Sequence, residues 1–318
     1  MAGKLPRTNR AFNSSSQPVA PDGEMAFVVD VPSFGMMSHD DAQAYANKLG
    51  SAIDDLRARG IPITWFSMSD KNELILPEKV QAGQTPKVRA LDAIVGREFY
   101  GANDGQRNAD IYAKFWEEHG ARTDEAICCK YFKNAFTIPQ DADGKPAYRD
   151  ILAGETGMPF DKNESRFQHR PTFAQYMEQQ GVRKPILIGA VASHCIPETA
   201  AGAVINGMTP TICPDLVLSW EGDQEAEIDQ DKSRLRFQDG AAAASPVDYH
   251  TGCIRGKLDI IAGEQKSARG ISDDDAEAIR NIRIEKYVDL ARKLPLKPDN
   301  EESSSRPTAG SERFALQL

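Results

Sequence analysis

No stretch of this chain approaches the roughly 18 consecutive apolar residues that a membrane-crossing helix needs, so a transmembrane protein is not expected. Positive charge is also in short supply. Against 47 Asp and Glu there are 38 Lys and Arg, a formal net charge of −9, with a pI near 5.2. That balance argues against a surface for nucleic acid or anionic lipid. Cysteine is sparse, five residues at irregular spacing with Cys128 and Cys129 adjacent, which offers no disulfide framework and fits a reducing, cytoplasmic setting. The basic start MAGKLPRTNRAFNSSSQ lacks the apolar core of a secretory leader. Three nucleotide and metal signatures are missing too. Asp-Val-Pro-Ser-Phe-Gly stands where a dinucleotide-binding G-x-G-x-x-G would follow the first strand, and neither a P-loop nor an H-E-x-x-H zinc motif occurs.

What is present is ordinary globular material: 318 residues, 40% hydrophobic and 27% charged, enough for one large domain with insertions or for two. Residues 1–23 are polar and read as a loose N-terminal arm; the folded unit is expected over 24–294, with a flexible tail over 295–318. Short apolar runs at Met25–Val31, Ile61–Met68, Glu125–Phe132, Pro185–Val191 and Thr209–Leu218 read as strands. Helical spacing links them at His39–Gly60, Gln106–Gly120 and Pro171–Gln180, so β-α-β units and a parallel sheet with right-handed crossovers follow. The polar stretch from Asp70 to Gly105 reads as a long connection with a short helix near Lys87–Val95. Turn-rich segments near 140–168 and 220–246 read as insertions, and Tyr249–Ile261 and Ser272–Leu294 as C-terminal helices.

The chain is organised around Lys184 to Asp215, KPILIGAVASHCIPETAAGAVINGMTPTICPD. A buried strand there runs through a tight turn into a small-residue helix closed by Gly207. Cys195 sits at the start of that helix, where unpaired N–H groups and the helix dipole favour a thiolate. A lone cysteine in such a core is more commonly packing. Two other residues share its position at a strand's carboxyl end. Asp30 closes FVVD, and Lys130 closes EAICCK. Separately, the aspartate reads as a turn cap and the lysine as a snorkelling edge residue. A parallel sheet gathers such ends on one edge, where ligands bind. Together a carboxylate, an ammonium and a thiol could perform nucleophilic chemistry on a carbonyl.

At these residues the sequence resembles the isochorismatase-like cysteine hydrolases, the group of nicotinamidases, N-carbamoylsarcosine amidohydrolases and ureidoacrylate hydrolases. Three segments carry the resemblance: FVVDVPSF; Lys130-Tyr-Phe-Lys-Asn-Ala-Phe136; and Gly189-Ala-Val-Ala-Ser-His-Cys195-Ile-Pro-Glu-Thr199-Ala. It implies an α/β fold, a three-layer α/β/α Rossmann-like sandwich with a mainly parallel central sheet of five to six strands. It further implies Asp30 as general base, Lys130 as catalytic lysine (Lys133 is the other candidate) and Cys195 as nucleophile. A non-proline cis peptide is implied at Ala190–Val191, with the N–H groups of Val191 and Cys195 forming the oxyanion hole. Phe34, Phe136 and His194 match positions that line the pocket of relatives, and equally read as core or rim. Relatives assemble as dimers or tetramers, which implies a homo-oligomer.

The departures are informative. Asn134 stands where serine is usual, and SMSDKNELILPEKV lacks the histidines of the Asp-His-His metal site of many nicotinamidases. Neither a metal nor another cofactor is therefore expected, and nicotinamide is disfavoured as substrate. The presence of Cys195 favours attack on an amide, ureido or carbamoyl C–N bond of a small molecule. The alternative is a catalytically inert scaffold that binds a partner, motivated by the acidic stretch Glu221–Asp231 and the tail.

Overall fold

The computed structural model describes residues 21–31, 34, 39–68, 73–75, 108–130, 134–136, 173–218 and 245–295. The N-terminal arm before Pro21, the helix expected near Lys87–Val95, the insertion at 140–168, nearly all of that at 220–246 and the tail beyond Pro295 lie outside the described residues.

Seven strands form one sheet: β1 (Glu24–Val29), β2 (Ile63–Met68), β3 (Glu73–Ile75), β4 (Ala126–Lys130), β5 (Lys184–Ala190), β6 (Thr211–Leu218) and β7 (Arg283–Ile284). Their order across the sheet is β3-β4-β2-β1-β5-β6-β7. All neighbours pair in parallel except β3, which runs antiparallel to β4 at the edge. The described helices are α1 (His39–Ala58), α2 (Ala109–His119), α3 (Phe173–Gln179), α4 (Cys195–Ile205), α5 (Pro246–Ala262), α6 (Lys266–Arg269), α7 (Asp273–Arg280) and α8 (Tyr287–Ala291).

The strands form because their sequences are near-continuous apolar runs, the pattern of a parallel sheet covered on both faces. Period-two alternation then divides β1 between two cores. Met25, Phe27 and Val29 pack with α3, α4, α5 and α7. Ala26 and Val28 pack on the opposite face with α1, α2 and Leu290 of α8. Two helical layers around one sheet make the three-layer α/β/α sandwich expected from the sequence.

Two short edge strands add to the five read from the sequence. β3 lies within the stretch read as a connection. β7 interrupts what reads as one helix over Ser272–Leu294. There Ser272 caps α7 by accepting the Asp275 N–H, and the helix stops at Asn281. Ile282-Arg283-Ile284 then alternates apolar and charged residues, and Arg283 and Ile284 pair with Thr211 and Ile212. A period of two overrides helix propensity there, because an open edge of β6 is available to pair with.

At the amino end of the sheet, Glu125 knots the layers together. Its carboxylate accepts from Arg57 Nε and Nη2 at 2.7 and 2.9 Å, from Trp65 Nε1 at 2.7 Å and from the Arg122 N–H at 3.0 Å. Both ionic side chains are almost wholly buried. Removing one partner strands the other's charge, so Glu125→Ala is expected to lower unfolding free energy by about 3–5 kcal/mol in chemical denaturation. A loss below about 1 kcal/mol, the range of an exposed pair, would show that the knot contributes no more than a surface contact.

Candidate active site

The opposite edge of the sheet, at the carboxyl ends of the parallel strands, gathers the charged groups. Register decides which side chains meet there. Val29 pairs with Phe66, which pairs with Cys128, and all three face the core that contains Cys195. Lys130, two residues beyond Cys128, therefore emerges on that same face. Strict alternation would send the next residue after Val29 to the other face. Asp30 instead leaves the strand with φ of 44°, a left-handed conformation that aspartate tolerates better than most residues. Its N–H still donates to Phe66 O at 3.0 Å, and its Oδ2 accepts from Lys130 Nζ at 2.5 Å.

The lysine is 1% exposed, so its charge depends on its neighbours. Burial acts against the ammonium, but the Asp30 carboxylate and the Cys195 thiol, both hydrogen-bonded to it, outweigh that and hold its pKa above the ordinary lysine value. Cys195 thus belongs to the same charged cluster. It is the first residue of α4, buried, with His194 at the N-cap. Two other buried thiols, Cys128 and Cys213, are dominated by desolvation. Burial pushes Cys128 and Cys213 upward in pKa, which keeps both as neutral thiols.

Backbone geometry brings the strand that leads to Cys195 against that of Asp30. Gly189 has φ of 113°, and a Cβ there would collide with Val29 O and stand 2.8 Å from Val29 N, so only glycine lets β5 close on β1 at this point. The Ala190–Val191 peptide that follows is cis. The turn is held by Ala192 N–H to Leu218 O at 2.8 Å and by the His194 and Ile196 N–H groups to Val191 O at 3.2 and 3.3 Å.

The structure assigns the other sequence-derived positions to different surroundings. Phe136 lies in the core that holds Cys195, its ring 6.2 Å from Phe27 and 4.9 Å from Phe173. His194 is half-buried, with Nδ1 2.7 Å from Ser193 Oγ. Phe34 is packed on the opposite face, edge-on to Tyr45, Tyr112 and Phe115. The chain turns at Asp30, and φ of 59° at Phe34 sends that ring into the α1–α2 layer, away from the core of Cys195. Lys133 lies outside the described residues.

Spacing alone does not reveal how the segment after β4 docks on α4. Thr199 Oγ1 accepts the Ala135 N–H at 3.4 Å, and Asn134 Oδ1 accepts the Phe136 N–H at 2.9 Å. Asn134 lies flat against Gly202, where a Cβ would collide with Oδ1 and stand 2.8 Å from Nδ2. One turn into the helix, Glu198 is fully buried and pairs with Lys257 of α5 at 3.4 Å. In the sequence Gly202 and Glu198 stand only as a glycine and an acid within a small-residue helix, and only the fold names their partners. Among the described residues, no group of three or more His, Cys, Asp or Glu is placed to hold a metal, and no helix is long and apolar enough to cross a membrane.

Against solved structures, the chain is similar to a cysteine hydrolase from Pseudomonas syringae, with 13% identity, a TM-score of 0.38, and coverage of 88% of this chain and 95% of that one. It is also similar to an N-carbamoylsarcosine amidase from Thermoplasma acidophilum, with 14% identity, a TM-score of 0.34, and coverage of 66% and 87%. An Acinetobacter nicotinamidase aligns with 11% identity, a TM-score of 0.36, and coverage of 85% and 99%. No protein-family model matches the chain, and no curated protein sequence does. What the site can do follows from its own side chains.

The Asn134–Gly202 contact is open to test. Alanine for a mid-helix glycine ordinarily stabilises by up to about 1 kcal/mol. Here Gly202→Ala is expected to destabilise by about 1–3 kcal/mol through overpacking. Adding Asn134→Ala should recover most of that loss, and a double-mutant cycle from thermal or urea unfolding reads the coupling. Additive effects would mean that the two residues do not share the space.

Proposed function

We propose that the protein is a cysteine hydrolase of the isochorismatase-like family. It opens an amide, ureido or carbamoyl C–N bond of a small molecule through a covalent acyl-enzyme on Cys195. The observation that carries the reading is one buried cluster: Lys130 Nζ 2.5 Å from Asp30 Oδ2 and hydrogen-bonded to the Cys195 thiol at the first turn of α4. A bare binding scaffold has no use for a fully buried ammonium, whose desolvation costs several kcal/mol.

Asp30 is the proton carrier. Its Oδ2 is engaged by Lys130, while Oδ1 is buried and has no hydrogen-bond partner among the described residues. Oδ1 accepts the thiol proton, and the thiolate, stabilised by the Lys130 cation and the helix N-terminus, attacks the carbonyl carbon. A C–S bond forms and the carbonyl electrons move to oxygen, where the Val191 and Cys195 N–H groups hold the oxyanion. Collapse of that intermediate breaks the C–N bond, and the leaving nitrogen takes the proton from Asp30. Asp30 then accepts a proton from water as hydroxide attacks the thioester, the C–S bond breaks, and Cys195 recovers its proton. The sum is substrate plus water giving an acid and an amine. Lys130 remains a cation throughout, and of the three expected pocket positions Phe136 shares the core of Cys195 while His194 adjoins it in the chain.

Cys195→Ala and Asp30→Asn are expected to lower turnover of any amide, urea or carbamoyl substrate by at least about 10³-fold with the fold retained, as removal of members of a catalytic unit does. Undiminished turnover in Cys195→Ala would remove the mechanism. The substrate is sought by mass spectrometry, as an acyl adduct on Cys195 after incubation with a panel of such compounds. The pH dependence has a defined sign. With its pKa raised above the reference of about 10.4, Lys130 keeps its charge as pH rises to that value and loses it only beyond. No loss of activity below about pH 10 should therefore trace to Lys130; a lower alkaline limb that disappears in Lys130→Arg would contradict this.

A further inference from the structure

The register of β5 against β6 breaks just where the catalytic turn begins. Leu187 pairs with Ile212 and Gly189 with Val217, so β5 advances two residues while β6 advances five. The extra residues form a bulge that re-aims the strand end and leaves backbone groups without ladder partners. Within the extra residues, Pro214 O lies 3.1 Å from His250 Nδ1, and the Asp215 side chain accepts the Tyr287 N–H through Oδ1 at 2.9 Å.

A further contact comes from α1, on the far face of the sheet from Cys195. Tyr45 Oη reaches Gly189 O at 3.1 Å and Leu216 O at 3.2 Å, one buried hydroxyl shared between two carbonyls. Burial pushes the phenol well above its ordinary pKa, so it remains a donor at any working pH. The Gly189 carbonyl belongs to the peptide immediately before cis Ala190–Val191. On the other side of Val191, the Ala192 N–H is fixed to Leu218 O at 2.8 Å. Val191 therefore hangs between two anchors, one supplied by Tyr45 and one by the end of β6. The Tyr45 ring also meets Phe34 edge-on at 6.0 Å, four residues beyond Asp30.

We propose that Tyr45 is a positioning residue that fixes the peptide plane ahead of Val191 and so aims the oxyanion-binding N–H. The inference rests on the reading of Cys195 as nucleophile. It separates two reactions of one thiol. Iodoacetamide alkylation displaces iodide from a saturated carbon and develops no oxyanion. Acylation by p-nitrophenyl acetate forms the C–S bond at a carbonyl, passes through an oxyanion and expels p-nitrophenolate. Only the second depends on where the Val191 N–H points.

The test compares wild type, Tyr45→Phe and Cys195→Ala. Tyr45→Phe keeps the ring against Phe34 and removes only the hydroxyl. The expected result is a pre-steady-state p-nitrophenolate burst about ten-fold or more slower in Tyr45→Phe, given that one oxyanion donor is worth about 10²–10³ in rate. Iodoacetamide alkylation of Cys195, including its pH profile, should stay within about two-fold of wild type on the same scale. An unchanged burst overturns the proposal, and so does a parallel fall in both rates, which is the mark of a merely structural tyrosine. A wild type that releases no p-nitrophenolate, or releases it no faster than Cys195→Ala, removes the nucleophile reading itself and this inference with it.

Discussion

A fully buried ammonium is the constraint on which the candidate site depends. Lys130 is sheltered from water, and an isolated charge in that position would shed its proton. It is held instead by the Asp30 carboxylate at 2.5 Å and by the Cys195 thiol. The lysine in turn is the hydrogen-bond partner that joins the Asp30 carboxylate and the Cys195 thiol in one cluster. The pair Asp30–Lys130 spans 100 residues of sequence. Its cohesion therefore requires that β1, β2 and β4 stay in register, and the register of the sheet becomes a condition on the cluster.

The architecture meets that condition with few residues. Parallel pairing puts the ends of β1, β4 and β5 on one edge, and the two-residue period places Lys130 on the face of Cys195. Left-handed backbone at Asp30 turns the carboxylate toward the lysine, and Gly189 lets β5 close on β1. Helix α4 then carries the thiol at its first turn while its flank, through Thr199 and Gly202, holds the segment that follows Lys130. The amino end of the sheet is secured separately by the Glu125 knot, so that ion pair and the Asp30–Lys130–Cys195 cluster occupy opposite ends of the same strands.

Much of this is legible in the sequence because it follows from local pattern. Five apolar runs, an acid and a lysine closing two of them, and a cysteine at a strand-to-helix turn are all visible one segment at a time. Other features depend on contacts between distant segments. Tyr45 reads as one more apolar position on α1, and only the β5–β6 bulge gives its hydroxyl a task. Phe34 matches a pocket position by alignment of residues, yet positive φ sends its ring into the α1–α2 layer. Ile282–Ile284 becomes a strand because β6 offers an edge, which no helical wheel reveals. Asn134 is a departure from a motif in the sequence and a shape match to Gly202 in the fold.

The most direct measurement of the central claim is the ionisation of the Cys195 thiol, followed by thiolate absorbance against pH in wild type and in Lys130→Met, with the fold checked by circular dichroism and Cys195→Ala as the blank. If the ammonium sustains the anion, its removal should raise the Cys195 pKa by about one unit or more, the scale of an opposite charge within hydrogen-bonding reach. An ionisation that stays where it was in Lys130→Met would contradict the account, because the thiol would then owe nothing to the lysine beside it.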